Sequence, residues 1–231
     1  MFYPFELEKY LEMLLPPRDE LLLEMEREAL VETIPVVTPA VGHFLQLLLE
    51  TAGARSILEI GTATGYSTIY LARGARQTGG RVLTIDMNKG RMDRAVEYIA
   101  KAGLKDLVEF RFGNALKILP ELSGRFDFIF VDAAKGEYRQ YVELILPLMA
   151  DGGILVLDNV LFRGWVVPGS VYDSKYNNMV ETLRAFLQYL AELPGYKLSV
   201  LPFGDGLAIV RKNGPFEKTL PKNSSCKEQK E

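Results

Sequence analysis

Five short β-rich runs alternate with helical stretches between residues 56 and 158, and this alternation most constrains the fold. The runs are SILEI (56–60), RVLTID (81–86), 107–112, FDFIFVD (126–132) and GILVLD (153–158). Parallel strands need long crossover connections, which intervening helices supply. The alternation therefore predicts an α/β fold with a doubly wound, mostly parallel sheet.

The end of the chain predicts a different connection. Two further strands, 196–203 and 207–211, are separated only by Gly204-Asp205-Gly206. Such a short turn allows no crossover, so we expect an antiparallel hairpin that completes a seven-stranded sheet.

The N-terminal part is predicted to be helical. Apolar residues recur at helical spacing over 18–31 and 40–51, and a shorter helix precedes Pro16. We assign residues 1–212 to a single domain, in which 1–52 form N-terminal helices and 53–212 the core. The polar, lysine-rich tail 213–231 is expected to be disordered.

Composition excludes several classes of function. The 231 residues contain one cysteine, Cys226, and one histidine, His43, which excludes intrachain disulfides, Cys-rich metal sites and histidine clusters. A net charge of −3 and a pI of about 5.5 give no global attraction to nucleic acid or to anionic membranes. Without a run of about 20 apolar residues or a signal-peptide pattern, we expect a cytoplasmic protein with no membrane contact.

The ends of the first two strands carry a cofactor signature, since ligands of such sheets bind at the carboxyl ends. Gly61 and Gly65 form a turn that runs into a helix. Ala63 and Tyr66 replace glycines of the pyrophosphate fingerprint, which disfavours a nicotinamide dehydrogenase. The carboxylate of Asp86 suits a ribose diol, and ribose without pyrophosphate indicates S-adenosylmethionine. Taken alone, the two glycines are equally typical of an ordinary tight turn, and Asp86 is equally typical of a helix cap.

Three side chains with oxygen ligands follow the fourth and fifth strands: Asp132, Asp158 and Asn159. Hard oxygen donors without His or Cys select Mg²⁺, Mn²⁺ or Ca²⁺. The alternative is that they are ordinary turn-forming residues. Lys135 lies one turn after Asp132, where the field of a cation favours a neutral amine. We therefore predict Lys135 as the general base, the alternative being a solvated lysine.

The motifs ILEIGTATGYST, FVDAAKGEY and GGILVLDNVLFRG resemble the cation-dependent, S-adenosylmethionine-dependent O-methyltransferases, which include catechol and caffeoyl-CoA O-methyltransferases. The resemblance covers 35–212 and implies a Rossmann-like class I methyltransferase fold. It implies Lys135 as the catalytic residue and Asp132, Asp158 and Asn159 as metal ligands. It matches cofactor-contacting positions to Val37, Glu59, Gly61, Ser67, Asp86, Ala115 and Asp132. The neighbouring residues Ala63, Gly65, Met87 and Asn114 complete the candidate cofactor set.

The methyl acceptor is less constrained. VLFRGWV and PFGDGLAIVRK most resemble bacterial tRNA 5-hydroxyuridine methyltransferases, which implies conversion of 5-hydroxyuridine to 5-methoxyuridine in tRNA. The acidic pI favours the alternative, a small catechol or phenolic acceptor with a similar vicinal oxygen pair. RNA binding normally needs clustered Lys and Arg, whereas residues 171–184 contain two of each sign. A non-catalytic binding protein is disfavoured by the intact candidate site.

Candidate substrate contacts lie in and near the Gly/Pro/aromatic loop 160–175. We interpret this loop as a lid or substrate wall, the alternative being a surface loop with an aromatic anchor. The candidate substrate residues are Tyr138, Arg163 and Trp165, and the candidate RNA contacts are Arg163, Lys135, Arg139 and Arg18. Asn114 replaces the aspartate of many relatives, so we expect altered adenine contacts. Because related enzymes are often dimers, we also expect a homodimer.

Overall fold

A seven-stranded sheet with one antiparallel strand organises the protein. The structure is a computed structural model and describes residues 5–214. The strands are β1 (Ser56–Ile60), β2 (Arg81–Asp86), β3 (Val108–Phe112), β4 (Phe126–Val131), β5 (Met149–Leu157), β6 (Tyr196–Leu201) and β7 (Leu207–Lys212). Their spatial order is β3-β2-β1-β4-β5-β7-β6, and β7 runs antiparallel to both of its neighbours. This confirms the doubly wound sheet and the terminal hairpin.

Eight α-helices accompany the sheet within the described residues. They are α1 (Phe5–Met13), α2 (Glu20–Glu32), α3 (Pro39–Thr51), α4 (Tyr66–Thr78), α5 (Lys89–Lys101), α6 (Ala115–Ile118), α7 (Tyr138–Ile145) and α8 (Asn177–Glu192). Local sequence explains where they begin and end. The side chains of Asp19 and Thr38 accept hydrogen bonds from the first turns of α2 and α3. Gly79, in the left-handed region, ends α4.

The sheet separates two apolar layers. One layer contains Leu58 of β1 and packs against α7 and α8. The other contains Ile57 of β1 and packs against α3 and α4. Because consecutive residues of a strand point to opposite faces, β1 is buried on both sides. A ligand therefore has access to the strands only at their ends.

Apart from shifts of one or two residues at element ends, three elements differ from the sequence-based expectation. β5 begins at Met149 rather than at residue 153, and its register with β4 shifts between Phe126 and Phe128. The helix expected over 138–149 ends at Ile145, followed by a single 3₁₀ turn that contains Pro147, which confirms the expected break. The short helix α6 between β3 and β4 was not predicted, since four residues carry no periodic signal.

No helix within residues 5–214 is long and apolar enough to cross a membrane. The tail that the sequence predicts to be disordered, 213–231, lies outside the described residues apart from Asn213 and Gly214. The assignment of residues 1–212 to one domain stays a prediction.

Candidate active site

A cavity of about 830 Å³ opens at the carboxyl edge of the parallel strands. Its walls come from the turns after β1 to β5, the segment before α3 and the turn before β7. The volume is typical of small-molecule sites. The candidate residues that line it are Val37, Gly61, Ala63, Ser67, Asp86, Met87, Asn114, Ala115, Asp132, Lys135, Asp158, Asn159 and Arg163. The structure thus brings most of the candidate residues together.

The two glycines of the first turn have different roles. Gly61 lines the cavity with φ of 101°, and a Cβ there would lie 1.9 Å from the backbone oxygen of Asp132. Gly65 has φ of 90° and begins α4, and a Cβ there would lie 3.0 Å from the Cβ of Ala95. Gly65 does not line the cavity, and the structure gives it a role in helix packing, whereas its contact with a cofactor stays a prediction.

Glu59 is completely buried and does not line the cavity, and its role as a cofactor contact stays a prediction. It shares a face of β1 with Ile57 and points toward α4. Its carboxylate accepts hydrogen bonds from the hydroxyls of Ser67 (2.6 Å), Thr68 (2.5 Å) and Thr84 (2.6 Å). Burial raises the pKa of Glu59 to about 7, against the effect of these hydrogen bonds. Glu59 therefore orients two lining residues, Ser67 directly and Thr62 through the hydroxyl of Thr84.

Asp86 is held rigidly at the end of β2. Its Oδ2 accepts a hydrogen bond from the backbone amide of Ala63 at 2.8 Å, and its Oδ1 accepts one from the amide of Asn88 at 2.7 Å. Each carboxylate oxygen keeps a further lone pair, and the residue lines the cavity. The geometry agrees with a carboxylate that is oriented in advance for a pair of hydroxyl donors.

Asn114 caps α6 at the end of β3. Its Oδ1 accepts a hydrogen bond from the backbone amide of Leu116 at 2.8 Å, and the residue lines the cavity. An aspartate at this position would cap the helix equally well. The expected difference in adenine contacts therefore stays a prediction.

Two carboxylates and one amide meet where β4 and β5 end. Asp158 is 3% exposed and Asp132 is partly buried. Burial, reinforced by the negative charge of Asp132, raises the pKa of Asp158 to about 7. Burial also raises the pKa of Asp132, opposed by Lys135, whose Nζ lies 3.8 Å from Oδ1. Asn159 adjoins them in the left-handed region with φ of 54°.

This arrangement is a candidate cation site. Among the described side chains, no group of three or more His, Cys, Asp or Glu is placed to hold a metal ion. The present set contains only two carboxylates, and its third oxygen donor is an amide. Asp132 and Asp158 disfavour each other's ionisation. A divalent cation bound there would offset their negative charge. The donor chemistry therefore fits Mg²⁺, Mn²⁺ or Ca²⁺.

Tyr138 lies in the core next to the candidate cation site. It is completely buried on the inward face of α7 and does not line the cavity, and its role as a substrate contact stays a prediction. Its hydroxyl donates a hydrogen bond to the backbone oxygen of Asp158 at 2.8 Å. Tyr141, Val142 and Ile145 share its buried face, so the helical spacing of these residues was the signal for a core position.

Only one of the two candidate substrate residues in the loop after β5 faces the cavity. Arg163 lines the cavity, whereas Trp165 does not. The ring of Trp165 stacks on Tyr172 with a centroid distance of 5.6 Å and also contacts Phe162 and Tyr176. The direct contact of Trp165 with substrate stays a prediction. The Trp165 ring supports Arg163, whose guanidinium lies 5.3 Å from its centroid.

Several lining residues were missed by sequence reasoning. They are Pro35, Val36, Thr38, Val41, Thr62, Arg91, Glu137, Tyr141, Gly204 and Asp205, among others. A usable signal existed for Asp205, because the antiparallel strand β7 begins beside the carboxyl end of β5. No local pattern indicated Arg91, and in the segment 35–38 only Val37 was indicated, through the family resemblance.

The fold and the cavity are those of a Rossmann-like methyltransferase, and comparisons with known proteins agree. A family model described as O-methyltransferase matches residues 17–213. Caffeoyl-CoA O-methyltransferase 1 from Eucalyptus globulus is 37% identical over 181 residues, which cover 74% of this chain and 72% of the relative. The chain therefore belongs to the O-methyltransferase family and is an O-methyltransferase.

Solved structures show the same likeness. An O-methyltransferase from Bacillus cereus, solved in complex with S-adenosylhomocysteine, is 36% identical with a TM-score of 0.80 and covers 90% of this chain and 97% of its own. TomG from Streptomyces achromogenes, an O-methyltransferase involved in tomaymycin synthesis and solved with S-adenosylmethionine, is 32% identical. Its TM-score is 0.79, and the match covers 90% of this chain and 96% of TomG.

Proposed function

We propose that this chain transfers the methyl group of S-adenosylmethionine to a hydroxyl of a small aromatic acceptor that carries two adjacent oxygens. A divalent cation at Asp132, Asp158 and Asn159 assists the transfer. The observation that carries the proposal is this cluster of two buried acids and an amide, with Lys135 beside it, in the wall of a cavity. The cluster occurs in a chain of the O-methyltransferase family.

The cofactor end of the cavity is assigned to S-adenosylmethionine. Asp86 is oriented by two backbone amides and accepts hydrogen bonds from the ribose hydroxyls. Ser67, fixed by Glu59, lies in the wall next to the close approach of Gly61 to β4. The two solved relatives bound to S-adenosylmethionine and S-adenosylhomocysteine support this assignment.

The chemistry follows from the groups beside the cluster. A bound divalent cation supplies a Lewis acid that lowers the pKa of an acceptor hydroxyl. Lys135, in its neutral form, takes the hydroxyl proton on Nζ and later releases it to solvent. The acceptor oxygen then forms a bond to the methyl carbon while the sulfur–carbon bond breaks, leaving S-adenosylhomocysteine. The protein chiefly holds the reactants in line and excludes water.

The charges around the cavity favour a small acceptor over RNA. Five acids line the cavity, Asp86, Asp132, Glu137, Asp158 and Asp205, against three bases, Arg91, Lys135 and Arg163. Basic residues considered for RNA contact form ion pairs. These are Arg18 with Glu12 and Glu26, Arg139 with Glu143, and Lys135 with Asp132. Caffeoyl-CoA O-methyltransferases among the relatives support the small-molecule class.

The motifs VLFRGWV and PFGDGLAIVRK favour 5-hydroxyuridine in tRNA as the second candidate. One assay separates the two: methyl transfer from labelled S-adenosylmethionine with Mg²⁺, offered to a simple catechol and to tRNA containing 5-hydroxyuridine. We expect labelled catechol, with the activity lost in EDTA and restored by added Mg²⁺. Labelling of the tRNA alone would overturn the small-molecule acceptor, and activity that resists EDTA would overturn the metal.

A homodimer is also proposed, through the N-terminal helices. Leu30 and Val31 at the end of α2 are 84% and 82% exposed, and Leu47 of α3 is exposed as well. Apolar side chains of this size favour contact with a second copy of the chain. Light scattering is expected to give twice the chain mass for the wild type and a lower mass for Leu30→Glu. A monomeric wild type would contradict the proposal.

A further inference from the structure

The start of the loop after β5 adopts a conformation that needs external support. Asn159, Phe162 and Arg163 all have positive φ, at 54°, 45° and 58°. Such conformations cost non-glycine residues of the order of 1 kcal/mol each and persist only where surrounding contacts enforce them. Because Asn159 and Arg163 line the cavity, whatever enforces this conformation also sets the geometry of the acceptor end.

The turn before β7 enforces it on one side. The backbone amide of Val160 donates to the Gly206 oxygen at 3.0 Å, and the amide of Leu161 donates to the Asp205 oxygen at 3.0 Å. The amide of Arg163 donates to the carboxylate of Asp205. These bonds fix residues 160–163 but leave the next residues of the loop without support from this turn.

Arg184 of α8 holds those next residues. Its Nε donates to the backbone oxygen of Val166 at 2.8 Å, and its Nη2 donates to those of Val167 at 3.0 Å and Trp165 at 3.2 Å. Its Nη1 also donates to Glu181 at 2.6 Å. One guanidinium thus binds three consecutive carbonyls, which a lysine ammonium, as a single nitrogen, cannot match in geometry.

The clamp reaches the cavity through Trp165. Arg184 holds the backbone of Trp165, and the Trp165 ring lies under the guanidinium of Arg163, which lines the cavity. Arg184 itself does not line the cavity. Loss of the clamp would therefore loosen the backbone that carries the Trp165 ring and shift Arg163, without removing any group from the acceptor's surroundings.

We infer that Arg184 is a positioning residue for the acceptor: it holds residues 165–167 and, through the ring of Trp165, positions Arg163 in the cavity wall. This inference rests on the proposed function, since it assigns the acceptor to that end of the cavity. Methyl donor binding at Asp86 and Gly61 lies on the other side of the sheet's switch point and does not depend on this wall. A change in this wall should therefore alter the affinity for the acceptor and leave the affinity for the methyl donor unchanged.

The test compares Arg184→Met, which keeps the aliphatic stem, with Arg184→Lys and Glu181→Gln. In the methyl-transfer assay we expect Arg184→Met to raise the KM for the acceptor about tenfold, with kcat and the Kd for S-adenosylhomocysteine changed less than about twofold. Arg184→Lys is expected to be intermediate. Glu181→Gln, which removes the ion pair but not the three carbonyl contacts, is expected to behave like the wild type.

Trp165 is the only tryptophan in the sequence, so its fluorescence reports on the wall directly. We expect acrylamide to quench Arg184→Met more strongly than the wild type or Glu181→Gln, at temperatures where all are folded. Unchanged KM and quenching in Arg184→Met would overturn the inference, as would an equal loss of donor affinity. If Arg184→Met does not fold, the same criteria apply to Arg184→Lys. A wild type that methylates no acceptor would overturn the proposed function alone, and the quenching comparison would still decide the clamp.

Discussion

The hydroxyl of Tyr138 donates a hydrogen bond of 2.8 Å to the backbone oxygen of Asp158, from a position with no solvent exposure. The contact ties α7 to the end of β5, where Asp158 enters the candidate cation site. Tyr138, which the motif alone places near the substrate, thus holds the backbone of a candidate metal ligand.

Replacing Tyr138 by Phe should weaken the fold and the site together. The change leaves a buried carbonyl without its partner, which costs about 1–3 kcal/mol. We expect a lower free energy of unfolding in urea and a higher Mg²⁺ concentration for half-maximal activity. Tyr189→Phe, on the partly exposed face of α8, is the control. Equal Mg²⁺ dependence in wild type and Tyr138→Phe would contradict the supporting role.

Replacing Asp158 by Asn should abolish turnover while sparing the fold. The change removes one of two buried carboxylates that disfavour each other's ionisation, so the melting temperature without metal is expected to stay equal or rise at pH 8. Because a ligand that binds only the folded state stabilises it, Mg²⁺ should raise the melting temperature of the wild type but not of Asp158→Asn. Asp151→Asn, at an exposed site, is the control. A Mg²⁺-dependent rise that persists in Asp158→Asn would count against this metal site.

Glu59 should make stability fall as pH rises. Its folded pKa of about 7 lies above its ordinary value of 4.5, so the folded state binds the proton more tightly than the unfolded state. The penalty is absent below about pH 4.5, grows through pH 7 and reaches about 3 kcal/mol above it. Glu59→Gln removes this dependence. Urea unfolding of both proteins from pH 5 to pH 8 should show the wild type losing stability relative to Glu59→Gln. If the difference between their free energies of unfolding stays constant over this range, the raised pKa of Glu59 is refuted.

Gly61→Ala should destabilise the fold far more than Gly124→Ala, which changes a glycine with a similar φ. Gly61 and Gly124 have similar φ, 101° and 94°, but a Cβ at Gly124 meets no atom within 4 Å. Gly124→Ala therefore measures the cost of the backbone conformation alone, about 1–2 kcal/mol. Gly61→Ala adds the collision with the Asp132 carbonyl and should also weaken S-adenosylhomocysteine binding in calorimetry. Equal destabilisation by the two changes would disprove the close approach.

The sequence by itself determined the sheet and the order of the motifs along its edge. The strands β1 and β2 carry β-rich runs that match the predicted bounds residue for residue, and the short turn before β7 forced an antiparallel pair. Asp86, Asp132 and Asp158 lie at the cavity because each directly follows or ends a strand. Such patterns are local, and the topology that follows from them brings the carboxyl ends together.

Only the tertiary structure decided which neighbouring side chains face the cavity. Glu59 and Tyr138 belong to matching motifs but point into the core, because strand alternation and the apolar face of α7 set their directions. Arg91 lines the cavity although no quoted motif contains it, and Asp205 lines it although its motif, PFGDGLAIVRK, did not mark it as a site residue. Arg184, which the sequence analysis counted only in the charge balance of residues 171–184, binds three loop carbonyls. Hydrogen bonding and burial depend on partners distant in sequence, so the direction of a side chain is fixed only when the helices pack on the sheet.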